Sequence, residues 1–373
     1  MSHSPNAFAT TMKTLHLPTV PRGGGEGTET RLRVNSHIHL PPNFSAFETT
    51  AQAMELAGEQ DIRVLGVSNY YDYSVYDDFA GRAKDMGIFP LFGLEIITLI
   101  DDLVREGVKI NDPGNPGKMY ICGKGITRWD PMSDTARKLL QTIRDNDSER
   151  MRAVVDKLAS VFAARGVPVA LDTAAIKARI VTRHGSPPET VYLQERHVAQ
   201  AFQEVLFATI PQDEQAGALE RVFGTASKAG PDDAVGVQNE IRSHLLKAGK
   251  PAFVPETFVD FDHAYELILA LGGIPCYPTL ADGVSPICPF EEPVEKLAAN
   301  LKERGVYCAE FIPIRNTPEV LSHYVQSMRD AGLFVTAGTE HNTLDLIALE
   351  PTCLNGDAIP EDIKDIFWEG ACV

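Results

Sequence analysis

Val34-Asn35-Ser36-His37-Ile38-His39-Leu40 is the stretch on which the fold turns: an apolar-edged run carrying two histidines two positions apart, stopped by Pro41-Pro42. Read as a β-strand, it puts residues i and i+2 on one face, with α-carbons about 6.6 Å apart at roughly 3.3 Å of rise per residue. Two imidazoles at that spacing can converge on one metal ion, each ligating at about 2 Å. The same pattern also suits strand-end histidines bonded to their neighbours, so H-x-H alone leaves both readings open.

Working outward, Ser45 to Gln60 carries helical spacing through Phe47, Ala51, Met54 and Leu56, and Arg63-Val64-Leu65-Gly66-Val67-Ser68 is a short apolar strand. A second helix from about Val75 to Met86 leads into a strand over Ile88 to Ile97. This alternation predicts parallel β-α units, with right-handed crossovers bringing the strand C-termini to one face. The rhythm returns late in the chain. His263 to Ala270 reads as a helix, Gly272 to Pro278 as a strand, Pro293 to Arg304 as a helix and Val306 to Ile312 as a strand. Thr317-Pro318-Glu319 opens a helix to about Ala331, and Leu333 to His341 is a strand ending in polar residues. In a closed, TIM-like parallel barrel, functional side chains collect at strand C-termini. His39, Glu95, Glu310, Glu340 and His341 all fall there.

Between these halves, about Asp130 to Pro255 is rich in Ala, Leu, Lys, Arg, Glu and Gln, with helical candidates at Ser133 to Asp145, Ser148 to Arg165, Leu193 to Ala208 and Ala234 to Ala248. The expected organisation is therefore a flexible glycine-rich arm at 1–30, a barrel from 31–129 and 256–373, and a mostly helical insertion at 130–255 over its mouth. The insertion is either a packing and oligomerisation module or a lid with substrate contacts.

Composition narrows the partners. The formal net charge of −17 and pI near 5.0 argue against wrapping nucleic acid, so an anionic substrate requires a local positive site. No apolar run is long enough to span a membrane, and the first thirty residues lack the apolar core of a signal peptide, so the expectation is a cytoplasmic protein. The six cysteines are scattered without a C-x-x-C pair and read as reduced thiols rather than a zinc finger. Gly23-Gly24-Gly25-Glu26-Gly27 has neither a preceding strand nor a G-K-[ST] and is no phosphate loop. Ser68 and Ser285 lack a nucleophile-elbow context.

Several of these stretches, taken in order, resemble the polymerase and histidinol phosphatase (PHP) family. Asn35-Ser36-His37-Ile38-His39 looks like its opening D-x-H-x-H, and Gly66-Val67-Ser68-Asn69-Tyr70 stands where a strand ends in T-D-H. Gly93-Leu94-Glu95 matches G-x-E, and Tyr120-Ile121-Cys122-Gly123-Lys124-Gly125-Ile126 resembles H-I-L-G-x-G-I. Gln194 to Ala199 resembles an R-x-H-[IV]-A helix start, Gly273 to Pro278 resembles G-V-x-x-x-H-P, and Val335 to His341 resembles the closing V-T-x-G-S-D. The correspondence runs from about residue 31 to 350. It implies a distorted seven-stranded (β/α) barrel and a cluster of up to three metal ions that hydrolyses phosphoesters.

Carried over residue by residue, the resemblance puts a first metal site on His37, His39, Glu95 and Glu340, with Glu340 replacing an aspartate. The second site needs histidines where Tyr120 and Tyr277 stand. The third needs an aspartate-histidine pair where Asn69 and Tyr70 stand, and a histidine at Asn342. A phenol is a poor ligand for zinc or manganese beside imidazole, so those two sites are expected to be lost, with Tyr70, Tyr120 and Tyr277 filling the volume and bonding to Asn69 or Glu95. Ferric iron, which accepts tyrosinate, stays open.

The resulting expectation is one divalent ion (Zn, Mn or Fe) and hydrolysis, most naturally of a phosphoester of a small anionic molecule. Glu340 and His341 are the catalytic candidates, with His341 as a spare ligand or proton carrier. Arg315 and Arg196 are candidate substrate contacts, and Glu310 is read as positioning loops. The competing reading is a catalytically silent PHP-like protein that binds a ligand or partner. Oligomeric state is not readable.

Overall fold

The computed structural model describes residues 31–230 and 232–373. The arm read at 1–30 lies outside the described residues. β1 (Arg33–Ile38) is followed by α1 (Thr50–Glu59), β2 (Ile62–Val67), α2 (Tyr76–Met86) and β3 (Phe89–Phe92), and the three strands pair in parallel in the order β1-β2-β3. α1 starts where the Thr49 side chain accepts from the Gln52 N–H, and it buries Ala53, Met54 and Ala57.

The apolar run expected as one strand from Ile88 to Ile97 is split at Gly93. The Gly93 N–H donates to Val67 O at 2.7 Å, in register with the first sheet. A Cβ there would stand 2.7 Å from both Gly123 O and Ser68 Oγ, so only glycine lets the backbone pass between the sheets. Beyond it, β4 (Leu94–Leu99) begins a second sheet. A short α3 (Asp101–Glu106) leads to β5 (Lys118–Lys124), which runs antiparallel to β4 and to β6.

The chain then forms α4 (Asp134–Ala164), α5 (Thr173–His184), α6 (Glu195–Thr209), α7 (Gln212–Phe223) and α8 (Ala234–Ile241), the last running into a single π turn at Arg242–Leu246. α4 is one helix of 31 residues where the sequence suggests two. The polar Asn146-Asp147 falls between the two expected helices, yet Asp147 and Arg150 are buried on the one helix. α4 also joins two apolar clusters: Ala136, Leu140 and Ile143 pack with the sheets, whereas Val155, Leu158 and Phe162 pack with Phe202, Leu206 and Val237 of the other helices.

α9 (Phe261–Ala270), β6 (Ile274–Thr279), α10 (Val294–Glu303), β7 (Cys308–Phe311), α11 (Pro318–Asp330), β8 (Phe334–Ala337) and α12 (Glu361–Ala371) complete the chain. α10 buries Val294, Leu297, Ala298 and Leu301, and α11 buries Leu321, Tyr324, Val325 and Met328, the i, i+3, i+4, i+7 stripe that faces a sheet. The second sheet has the order β4-β5-β6-β7-β8, parallel from β6 onward.

The expected closed seven-stranded barrel is therefore corrected: the described residues form eight strands in two sheets. On one side the chain passes from the first sheet to the second at Gly93, and the junction is held by Gly93 N–H to Val67 O, Glu95 N–H to Asn69 O and Ile126 N–H to Phe92 O. On the other, β1 meets the end of β8 through one bridge, Ile38 to Glu340, because β1 shifts register between Asn35 and Ile38 and β8 stops at Ala337. Among the described residues no helix is long and apolar enough to cross a membrane.

Candidate metal centre

The unclosed seam between β1 and β8 is where the chemistry gathers. Beyond Ala337 the chain bends across the end of β1: Thr339 N–H and Glu340 N–H donate to His37 O at 3.1 and 2.9 Å, and His39 N–H donates to Glu340 O at 2.8 Å. Gly338 packs so closely on β1 that an added Cβ would collide with the His37 Cβ. Glu340 and His341 hold φ of 59° and 52°, the left-handed region that costs a side chain strain and recurs at functional sites.

The strand period holds. His37 and His39 share a face, their Nε2 atoms 3.4 Å apart and both rings buried. Glu95 enters from the start of β4, its N–H donating to Asn69 O at 3.3 Å, and its Oε2 lies 3.2 Å from His39 Nε2 and 3.6 Å from His37 Nε2. That oxygen is buried without a hydrogen bond. A buried, unbonded carboxylate oxygen facing two ring nitrogens is an expensive arrangement for a protein alone. It fits a borderline-soft divalent cation, for which imidazole and carboxylate are ordinary ligands.

Glu310, read from sequence as a loop positioner, instead orients a candidate ligand. Its Oε1 is 2.9 Å from His37 Nδ1, and its Oε2 is 2.6 Å from Lys124 Nζ. Burial opposes ionisation of this carboxyl, but Lys124 and His37 overcome it and hold it far below the usual range. An ionised carboxylate only accepts, so Nδ1 of His37 carries a proton toward Glu310 and Nε2 is the nitrogen left on the Glu95 side as a candidate ligand. His37, Cys122 and Glu310 form a second group with ligand-type atoms in reach of one another. Burial and Glu310 push the Cys122 thiol well up, however, and Lys124 already holds Glu310, so this group is poorly suited to an ion.

Glu340 stands beside the three candidate ligands but not among the atoms that converge. Arg315 spans its carboxylate, with Nη1 donating to Oε1 at 3.0 Å and Nη2 to Oε2, while Asn342 Nδ2 donates to Oε2 at 2.5 Å. Burial raises its carboxyl, but Arg315 and His37 more than offset this and hold it below the normal range. His341 has Nδ1 2.7 Å from Thr339 Oγ1 and Nε2 3.1 Å from Ile347 O, and it stacks on Phe47. Both nitrogens are engaged, which leaves no lone pair for carrying a substrate proton; burial pushes the group down to about 4.

The positions where the resemblance implies metal-binding histidines and an aspartate divide by role. Asn69 is a clamp: its Oδ1 accepts from Leu40 N–H and its Nδ2 donates to Leu40 O, both at 2.9 Å, which sets the end of β1. Tyr70 stacks on His39 with ring centroids 5.3 Å apart. Tyr120 lines the adjoining cavity, its phenol pushed up to about 12 by burial against the opposing pull of Lys118. Tyr277 does not join them. Its hydroxyl donates to Glu291 at 2.9 Å, and Leu280 and Ala281 N–H groups donate to the same carboxylate, so the expected cluster of three tyrosines is reduced to two.

Glu95, Tyr70, Tyr120, Arg315, Glu340 and Asn342 face a cavity of about 480 Å³. Its sheet wall includes Glu95, Tyr120 and Arg315, and its helical wall includes Asp147, Arg150, Arg196 and Arg242. Sequence reasoning overlooked Lys124, Asp147, Arg150 and Arg242. Among these only Asp147 left a trace, as a polar residue interrupting an apolar helical stripe.

No family model matches the chain, and no curated protein does. Among the solved structures that share its fold are the following two. One, assigned as a metal-dependent phosphoesterase from Bifidobacterium adolescentis, superposes with a TM-score of 0.57 at 14% identity, over 90% of this chain and 96% of that one. The other, an amidohydrolase from Chromobacterium violaceum with bound sulfate and no metal, superposes with a TM-score of 0.59 at 16% identity, over the same shares of each chain. At these identities the likeness is one of fold.

Proposed function

We propose that this chain is a metal-dependent hydrolase that cleaves phosphoesters of small anionic molecules with one divalent ion, zinc, manganese or iron. The observation that carries the reading is the convergence of His37 Nε2, His39 Nε2 and the unbonded Glu95 Oε2 at the edge of a cavity. His37, His39 and Glu95 would hold the ion, and Glu310 keeps the His37 lone pair aimed at it. When bound, such an ion supplies Lewis-acid polarisation of an ester oxygen or of water. Tyr70, stacked on His39, limits water at that edge, and Arg315 with Glu340 orders the loop beyond β8. The phosphoesterase part of the reading draws on the PHP resemblance and on the fold shared with the Bifidobacterium protein.

One observation favours a second reading, a catalytically silent protein that binds a ligand. Arg315 and Asn342 take both oxygens of Glu340, the fourth ligand that the resemblance implies. Metal content of the purified protein by elemental mass spectrometry, with His37→Ala and Glu95→Ala alongside, separates the two. About one transition metal per chain, lost in both variants and accompanied by turnover of aryl phosphates or phosphodiesters, is the expected result. No stoichiometric metal after incubation with zinc, manganese or iron would leave the silent protein.

A further inference from the structure

The cations that line the cavity are of two kinds. Four are matched to acids: Lys118 lies 3.0 Å from Glu256 and 3.2 Å from Asp112, Arg150 lies 2.9 Å from Glu195, Lys247 lies 3.1 Å from Glu195, and Arg315 spans Glu340. Arg196, in the first turn of α6, and Arg242, opening the π turn after α8, are not. Among the described residues neither guanidinium has a carboxylate partner or a hydrogen bond, and Arg242 Nε is buried without one. Arg196 lies over the Phe44 ring at 6.0 Å. Burial first and Arg242 next push Arg196 down to about 10, as expected of two like charges facing one space. In a chain with 51 acidic and 34 basic side chains, two neighbouring arginines without an acid are an unusual expense. The local π turn, which sets Arg242 on this wall, is itself a feature that recurs at functional sites.

We infer that Arg196 and Arg242 form a phosphate-binding subsite on the helical wall of the cavity whose sheet wall carries Glu95. Each guanidinium offers planar paired donors that match two oxygens of a tetrahedral oxyanion, and two fixed positive charges match the charge of about −1.5 to −2 on a phosphate monoester near neutral pH. A single carboxylate balances only one of them. The subsite rests on the proposed hydrolase only for the statement that the bound phosphate belongs to a substrate; the arginine pair stands without it.

The test is calorimetric titration of inorganic phosphate into the full-length protein, with Arg196→Gln, Arg242→Gln and His37→Ala variants whose folding is checked by circular dichroism. The expected result is one phosphate per chain, weakened about tenfold or more by either arginine variant and changed less than about twofold by His37→Ala. Acetate should compete poorly. Arginine variants that bind as the parent does, or binding lost in folded His37→Ala, would overturn the subsite, the latter by moving the phosphate to the metal ligands. Arg196→Lys and Arg242→Lys serve as second variants: they keep the charge and should recover only part of the affinity. Arginine-dependent phosphate binding in a protein that holds no metal would leave the subsite standing while the hydrolase reading fails.

Discussion

His37 Nδ1 lies 2.9 Å from Glu310 Oε1, a contact between residues 273 positions apart that decides which nitrogen of His37 is free. The pair is buried, and Lys124 closes it from the other side of the carboxylate. One acid therefore pairs with a partly buried lysine and orients a candidate ligand.

Glu310→Gln should accordingly act on two measurements at once. Loss of the partner that orients a metal-ligating imidazole lowers metal affinity by about 10- to 100-fold, readable by competition with a chelating dye. It also leaves the partly buried Lys124 with its charge unmatched, which costs about 1–3 kcal/mol in urea unfolding. Unchanged affinity in a destabilised protein would show that Glu310 serves the fold alone.

Gly338→Ala places a methyl group against the β-carbon of His37. Relief requires β1 and the loop to separate, and overpacking of this kind costs about 1–3 kcal/mol. Because the shifted atoms carry a candidate ligand, metal stoichiometry should fall along with stability. Gly332→Ala, on the surface with no atom within 4 Å of the added carbon, is the control for a glycine changed without a collision, although its φ of 85° brings strain of its own.

Two acids on the helical wall should tilt stability against pH in opposite directions. Burial raises the Glu195 carboxyl, but Lys247 and Arg150 outweigh it and hold the group at about 2. A depressed carboxyl stabilises above its unfolded value near 4.5 and loses that contribution as pH falls toward 2. Asp147 is the reverse: burial, against the pull of Arg150, pushes it up to about 7. Its contribution is present below pH 4 and is lost as pH rises through 7. Glu195→Gln should flatten the acid limb of a stability profile, and Asp147→Asn the slope between about pH 4 and 7. A profile unmoved by either substitution would contradict these assignments.

Tyr277→Phe should leave metal content unaltered and cost about 1 kcal/mol, the ordinary worth of one hydrogen bond, because its hydroxyl is spent on Glu291 rather than on the centre. Elemental analysis and urea unfolding of the same sample check both halves. A loss of bound metal would put Tyr277 back with Tyr70 and Tyr120.

What was legible in the chain was whatever repeats on a local period. The i, i+2 histidines of β1 share a face because a strand alternates, and the apolar stripes of α10 and α11 were readable because a helix returns every 3.6 residues. Glu95 was found through the short G-x-E motif, which names a residue without saying what it faces. The same local reading failed where polarity had a tertiary cause. Asn146-Asp147 stood between two expected helices, but α4 runs through it and Asp147 is buried on the cavity wall.

By itself, then, the sequence determined that strands and helices alternate around a histidine-bearing first strand, since hydrophobic periodicity is written into neighbouring residues. Only the tertiary structure decided that two sheets leave a seam between β1 and β8, that Glu310 and Lys124 meet behind His37, that Arg315 holds Glu340 and that Tyr277 turns away to Glu291. Those pairings join residues far apart in the chain. Their partners are chosen by which strand ends come to lie side by side, and no local spacing carries that information.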